Sequence, residues 1–592
     1  MFDRHFKVWP AHAPKTIELP DQTLVANLAD TVARFPERRA TIYQGRSLTY
    51  AELNDQIERL AGFLQRRAGV AKGDRVLLFM QNSPQFIVGY YAILRADAVV
   101  VPVNPMNRRA ELEHMVTDTG ASVALAGQEL LDEVTPLLIA EAAASPGTPR
   151  LEVSGGIEMR EACGSAAGNT GSAGLTCIVA AAYADAADPD FDLPLPSPLD
   201  RPAPADYGVT GIVRWIDALD AQLTATPPQA KPDDLAVIPY SSGTTGHPKG
   251  CMHSHRTVMA TLVGGNVWNP MDETSVSLVS LPLFHVTGMQ NSMNGPIFVG
   301  GSMVIMTRWN RAVAAELIRR YRVTRWRSIS TMAIDLVNDP DAQSYDLSSL
   351  EMIGGGGAAM PDAIADRLKS LTGLDYIEGY GMSETIAATH INPIDRPRRQ
   401  CLGIPIFGVD CRILDPQDGR ELGPDQPGEI VINAPQVFKG YWNNPSATRD
   451  VFVEIDGKPF LRTGDIAYYD EDGYFFMVDR VKRMINVSGY KVWPTEVEAL
   501  MHRHPAISEV CVIATPDRRR GESVKAVIVL RDDAEDEVDA QAIVTWCRGL
   551  MSAYKCPRVV EFVDALPRSA TGKLQWKVLQ EEERSRAAGA AP

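Results

Sequence analysis

No apolar run in this sequence is suited to crossing a bilayer: Phe86 to Val103 is broken by Arg95 and Asp97, whereas a spanning helix needs ~20 mostly apolar residues. Met1 to Pro10 lacks the apolar core of a secretory signal. Cysteine is scarce, eight in 592 residues with no C-x-x-C spacing, which argues against a disulfide framework or a zinc site and fits a reducing cytosol. Basic residues are the minority, 58 Lys and Arg against 74 Asp and Glu, for a net charge of −16. With no Lys/Arg-rich face, nucleic acid is not an expected partner. A soluble, cytoplasmic protein is the expectation. The remaining composition, 45% hydrophobic and 22% charged, is that of a globular chain too long for one core, so two or more domains are expected.

Thr49 followed three residues later by Glu52 predicts a capped helix, because Tyr50, Leu53, Ile57, Leu60 and Leu64 then recur at helical spacing. The continuous apolar runs Val76 to Met80 and Val99 to Val103, separated by a helix-like Pro84 to Leu94, predict parallel strands covered on both faces. Strand-like and helix-like runs alternate again from Ser275 to Tyr380. The fold class is therefore α/β, with layered sheets and helices in a large N-terminal domain, residues 1–480. After Lys482 the pattern changes to strands at Val510 to Ala514, Val524 to Leu530 and Val559 to Val563 around a helix from Ala540 to Met551, which predicts a small α+β C-terminal domain, residues 481–592. Between about 140 and 232 the sequence dissolves into Ala, Gly, Ser, Pro and Asp, read in part as a flexible surface insertion. Nothing beyond Gln580 is expected to be ordered, since the Ala/Gly-rich end has little to bury.

The stretch Tyr240 to Gly250 concentrates four hydroxyls (Ser241, Ser242, Thr244, Thr245), three glycines (Gly243, Gly246, Gly250) and Lys249 just after the apolar run Leu235 to Tyr240. Glycines let backbone N–H groups converge on an anion, hydroxyls add donors, and lysine supplies a charge for a polyphosphate. An ordinary Ser/Gly turn has the same composition. It is not a Walker loop, because Lys249 is followed by Gly250 rather than Ser or Thr and Pro248 stands where a helix should open. The other Gly-Lys pair, Gly572-Lys573, is followed by Leu574.

This loop resembles the signature of the adenylate-forming superfamily, on its acyl-CoA synthetase branch. Five further motifs follow in the family's order: Leu281-Pro-Leu-Phe-His-Val-Thr-Gly288, Gly379-Tyr-Gly-Met-Ser-Glu-Thr385, Arg462-Thr-Gly-Asp465, Asp479-Arg-Val-Lys482 and Pro567-Arg-Ser-Ala-Thr-Gly-Lys573. The resemblance implies an ATP-dependent carboxylic acid:CoA ligase that forms an acyl-adenylate and pyrophosphate, then a thioester, on medium- to long-chain fatty acids. Aryl acids, or a carrier protein in place of CoA, are the alternatives. ATP, CoA and Mg2+ are the implied cofactors, and the anionic ones must be captured locally by Lys249, Arg480 and Lys573 against an unfavourable global charge.

By the same resemblance Lys573, Glu384, Thr244 and His285 have catalytic roles, and Glu384 and Thr244 hold magnesium. The loop residues Ser241, Ser242, Gly243, Thr244, Thr245, Gly246 and Lys249 take phosphates, with Ser383. Gly356, Gly357, Ala358 and Tyr380 receive adenine, Gly381 belongs to the same cofactor-binding set, and Asp465 and Arg480 take the ribose. Lys482 is the hinge of a mobile C-terminal domain, and Ser488, Gly489 and Tyr490 line the CoA tunnel. Phe284, His285, Gly288, Thr331, Ala333, Gly379 and Ile386 would line the acyl pocket. Peripheral membrane contact stays open, because a fatty acid would arrive from lipid, and the oligomeric state is not legible.

Overall fold

The structure, a computed structural model, describes residues 2–139, 174–241, 248–480, 483–487, 490–517, 520–531, 538–568 and 574–589. The chain groups into two compact units. One comprises Val8–Asp410 and Asn433–Phe452, and the other Met1–Lys7, Cys411–Ile432 and Val453–Pro592.

Helix Tyr50–Arg66 starts where the capping box places it. Thr49 Oγ1 accepts the Glu52 N–H at 3.2 Å, and the Glu52 carboxylate accepts the Thr49 N–H at 2.7 Å, an exchange that satisfies two otherwise orphaned donors. Ser83 caps helix Pro84–Arg95 by accepting the Phe86 N–H at 3.1 Å, with proline in its first turn. That helix is apolar on every side because it is buried between neighbours rather than at a surface. Its sheet has seven strands in the order His253–Ser254, Leu235–Val237, Val99–Pro102, Arg75–Phe79, Val123–Gly127, Cys177–Ala181, Ile212–Arg214, all parallel except the first pair.

Two strands of this sheet fall within 140–232, part of which reads in the sequence as a flexible surface insertion. Cys177–Ala181 is buried along its whole length and pairs with strands on both sides, and Ile212–Arg214 closes the edge. A strand covered on both faces needs no alternation, so its small residues read as loop composition. Residues 140–173 lie outside the described residues.

The second sheet of this unit has nine strands. Its parallel core runs Tyr376–Met382, Met352–Gly356, Arg325–Ser328, Val276–Val279, Ser302–Ile305, Arg39–Tyr43, flanked by antiparallel strands at both edges. The loops that follow the carboxyl ends of parallel strands are where open α/β sheets place ligands. Four of the expected site segments, 281–288, 330–333, 356–358 and 380–385, occupy or follow those ends.

In the other unit, Asp410–Leu414, Gly428–Asn433, Lys458–Tyr469 and Phe452–Ile455 form a sheet to which Phe475–Arg480 is added. A second sheet is built on the long hairpin Ile507–Asp517 and Gly521–Leu530. The compact unit runs through 480/481, and helix Pro494–Met501 is tied to the preceding strand: the Thr495 N–H donates to Asp479 Oδ2 at 2.8 Å, and Arg483 reaches Asp479 at 3.9 Å while pairing with Glu498 on the helix. The expectation of disorder beyond Gln580 is overturned. Helix Trp576–Gly589 is anchored by polar contacts, the Gln580 amide bonding both the N–H and C=O of Ala514 (2.9 and 2.8 Å) and Glu583 joining the buried Lys525. Among the described residues no helix is long and apolar enough to cross a membrane.

Candidate active site

Lys249–Gly250 pairs antiparallel with Tyr240–Ser241, so the hydroxyl-rich stretch 242–247, itself outside the described residues, leaves and rejoins the fold at one place. The base of that hairpin is fixed. Tyr240 donates its hydroxyl to Asp118 at 2.6 Å, and Trp442 Nε1 and Asn443 Nδ2 donate to the Asp118 carbonyl at 2.9 and 2.8 Å. Burial and the Asp118 carboxylate hold the Tyr240 hydroxyl protonated, its pKa well above the phenol range.

Glu384 sits on a single helical turn, Ser383–Thr385, after strand Tyr376–Met382. It is 6% exposed, and Tyr441 donates its hydroxyl to Glu384 Oε1 at 2.7 Å. The same tyrosine offers its ring face to Lys249, whose Nζ lies 5.0 Å from the ring centroid, a cation–π distance. One side chain thus joins the loop lysine to the buried carboxylate. The backbone agrees: Phe438 N–H donates to Glu384 O at 2.8 Å, and Trp442 N–H to Gly250 O at 2.8 Å.

The turn around Glu384 is strained. Ile386 and Ala387 have φ of 44° and 103°, a region that costs a β-branched residue most. Gly381 makes the turn feasible, since a Cβ there would lie 1.8 Å from Ala387 O. Ser383 is held by its carbonyl, which accepts from Nε2 of the fully buried His253 at 2.7 Å.

Burial pushes the His253 pKa down to about 4, against the opposing bond to Ser383, and that of His255 to about 4 as well. Both imidazoles are neutral in the fold, whereas in the unfolded chain they protonate near 6.5. The unfolded state therefore binds more protons between pH 6.5 and 4, and stability falls as pH drops through that window by up to ~3 kcal/mol per histidine. Denaturant midpoints at pH 7 and 4.5 should show this loss in the native protein and a smaller one in His253→Gln, which keeps a donor for Ser383. Equal losses would assign the acid sensitivity elsewhere.

At the end of strand Met352–Gly356, Gly357 and Ala358 are exposed beside Gly379 and Tyr380. A Cβ on Gly356 would stand 2.3 Å from Gly379 O, so the bare backbone is a packing requirement in its own right. Tyr380 is buried with its ring edge-on to His390 at 5.7 Å.

Among the expected acyl-pocket residues, Phe284 and Ile386 share an apolar cluster with Leu283, Val286 and Met289, and His285 caps the short helix Val286–Gly288 through Nδ1. Ala333 belongs instead to a different cluster around Trp326 and Leu336, and Thr331 is exposed. Gly288 is small because Pro282 O lies 2.2 Å from where its Cβ would be. A Cβ on Gly379 would face the neighbouring strand, 3.1 Å from His390 O.

In the other unit Asp465 is 3% exposed and lies opposite Arg480 in the strand register. Its motif is organised by Glu429, which pairs with Arg462 and accepts the Gly464 N–H at 3.1 Å, while Thr463 Oγ1 accepts the Asp465 N–H at 3.1 Å. Ser242, Gly243, Thr244, Thr245, Gly246, Lys482, Ser488, Gly489 and Lys573 lie outside the described residues, as do the side chains of Arg480 and Tyr490. Sequence reasoning missed Tyr441, His253 and Glu429. Tyr441 stands in Phe438-Lys-Gly-Tyr-Trp442, an apolar aromatic segment with no chemistry visible in its pattern.

Comparison with known proteins identifies the family of the chain. The AMP-binding enzyme family matches residues 28–442, and the AMP-binding enzyme C-terminal domain matches residues 496–573. The chain is 32% identical to a long-chain-fatty-acid–CoA ligase of Bacillus subtilis (strain 168), over 97% of this chain and 97% of the relative. It is 33% identical to a protein of the same name from Escherichia coli O157:H7, over 98% of this chain and 99% of the relative. Among solved structures, ATP-bound MatB from Rhodopseudomonas palustris superposes with a TM-score of 0.79 at 27% identity, covering 96% of this chain and 100% of that one. From its two family matches and its full-length relatives, the chain belongs to the AMP-binding enzymes, on the acyl-CoA synthetase branch of the adenylate-forming superfamily.

Proposed function

We propose that this acid–thiol ligase joins medium- to long-chain fatty acids to CoA in the cytoplasm, first forming acyl-AMP and pyrophosphate and then the thioester. The observation that carries the reading is Tyr441, which brings the buried carboxylate of Glu384 and the ammonium of Lys249 to one side chain. A polyphosphate needs both, a cation against its own charge and a hard oxygen for a metal that neutralises the rest. Among the described residues no three His, Cys, Asp or Glu side chains could cage a metal. This suits magnesium, which uses one or two carboxylates and takes its remaining ligands from phosphates and water. Glu384 and Thr244 would hold it, and it would supply charge neutralisation on the phosphates. Lys249 and the 241–246 hydroxyls then position the phosphates, Asp465 accepts the ribose hydroxyls, and Lys573 stabilises charge at the α-phosphate. Lys482 serves as the pivot between half-reactions, and Ser488, Gly489 and Tyr490 line the path of the CoA thiol. The full-length similarity to long-chain-fatty-acid–CoA ligases supports the acid class.

A screen of acids from acetate to palmitate, with benzoate and cinnamate, tests this by pyrophosphate release and by CoA thioester formation. Highest turnover is expected with aliphatic acids of medium or greater length. A maximum at benzoate or cinnamate would replace the reading with an aryl-acid ligase.

A further inference from the structure

Strand Arg325–Ser328 presents two faces. Trp326 points into one core layer, stacked on Trp309 at 5.7 Å. Arg325 and Arg327, two residues apart and so on the opposite face, line a cavity beneath helix His255–Trp268 and the π-helical segment Met289–Asn294. The space has room for about two waters, roughly that of one carboxylate group.

Its lining mixes apolar side chains such as Leu262, Met271 and Met352 with polar atoms that lack partners. Asn266 Oδ1, both side-chain polar atoms of Asn269, Ser277 Oγ, Ser292 Oγ and Arg325 Nε are all buried without a hydrogen-bond partner. Asn269, Ser277 and Ser292 are at most 3% exposed. Arg325 donates to Pro270 O at 2.8 Å and lies 3.4 Å from Glu351. Among the described residues the Arg327 side chain makes no hydrogen bond and no ion pair, and burial followed by repulsion from Arg325 lowers its pKa only to about 10. It is a half-buried guanidinium cation at neutral pH with no carboxylate paired to it among the described residues, an arrangement that favours an arriving anion.

The cavity shares a helical segment and a strand with the proposed acyl pocket. The helical segment that begins at His285 passes through Gln290 and Ser292 in the cavity wall. On the sheet, Met352 lines the cavity while Gly356, at the other end of the same strand, stands at the adenylate end, ~13 Å away at ~3.3 Å per residue. We propose that this cavity receives a second carboxylate at the far end of the acid, so that the preferred substrates are chains carrying an ω-carboxylate. The inference rests on the acyl-CoA ligase reading and narrows its substrate.

The test compares kcat/KM for paired acids of equal length, octanoate with suberate, decanoate with sebacate, and palmitate with hexadecanedioate, using the full chain and pyrophosphate release. At one length the diacid is expected to be favoured by about tenfold to a hundredfold, the range of one charge-assisted contact. Arg327→Met should lower the diacid-to-monoacid ratio by a similar factor. Ser277→Asp should do the same, because Ser277 is the register partner of Arg325 and would supply an internal carboxylate, so the test survives if Arg327→Met does not fold. A monoacid-active enzyme that favours the diacid at no length, or whose ratio is unmoved by both variants, overturns the inference and leaves a water-filled cavity or one holding an inorganic anion. Absence of pyrophosphate release with every acid would defeat the ligase reading instead.

Discussion

Lys573→Ala is expected to cut pyrophosphate release from acid and ATP by about a hundredfold or more, the typical cost of losing one preorganised donor at developing charge, while acyl-AMP and CoA supplied together still yield thioester. In the proposed mechanism the lysine is needed only where negative charge crowds at the α-phosphorus. Gly489→Leu should behave in the opposite way, sparing adenylation and losing thioester formation, because a side chain there would obstruct the thiol. The flanking residues give each change a local frame: Arg568 bridges Leu574 antiparallel around 569–573, and Val487 pairs with Tyr490 around 488–489. Thermal unfolding measured alongside separates a local effect from collapse of the sheet. Two stable variants with the same defect in both assays would remove the division of labour between these segments.

Elements whose signal is local were legible. The capping box at Thr49, the proline and serine opening helix Pro84–Arg95, and the apolar runs Arg75–Phe79 and Val99–Pro102 all write their structure in a few adjacent residues. Where the stabilising partner is distant, composition misled. Cys177–Ala181 is a strand because Val123–Gly127 and Ile212–Arg214 flank it, and neither neighbour is visible from five small residues. Helix Trp576–Gly589 lacks a strong apolar stripe, and its anchors are Gln580 on Ala514 and Glu583 on Lys525. A polar residue 8% exposed cannot be told from a solvated one without its partner.

The site divides along the same line. The proposed site residues Glu384, Lys249 and Asp465 announce themselves because they stand in short motifs that follow one another in the family's order along the chain. The residues that hold them do not. Tyr441 is 57 positions from Glu384 and His253 is 130 from Ser383, and Glu429 reaches Arg462 from another strand. Small residues read as acyl-pocket lining or as nucleotide contacts also serve packing. Gly288 and Gly381 are bare because carbonyl oxygens of Pro282 and Ala387 stand 2.2 and 1.8 Å from the missing Cβ, and Ala333 fills a core on the other side of the sheet from Phe284.

Glu384→Gln carries the second large expected effect, a loss of about a hundredfold to a thousandfold in pyrophosphate release, and Tyr441→Phe tells why. Glutamine keeps the shape of the side chain and an oxygen that can accept from the Tyr441 hydroxyl, so it removes the charge while preserving the packing of a residue 6% exposed. Phenylalanine keeps the ring beneath Lys249 and removes only the donor. Leaving a buried carboxylate short of that bond costs about 1–3 kcal/mol of stability, and losing the group that orients a metal ligand typically costs ~10–100-fold in activity. If Glu384 serves the metal, rates measured against magnesium concentration should show the Glu384→Gln enzyme requiring far more magnesium for half-maximal rate. Tyr441→Phe should show a smaller shift in the same direction together with a lowered unfolding midpoint. If the carboxylate were only a structural acceptor for Tyr441, the ordering would change: both variants would lose stability, glutamine less than phenylalanine, and neither would alter the magnesium dependence.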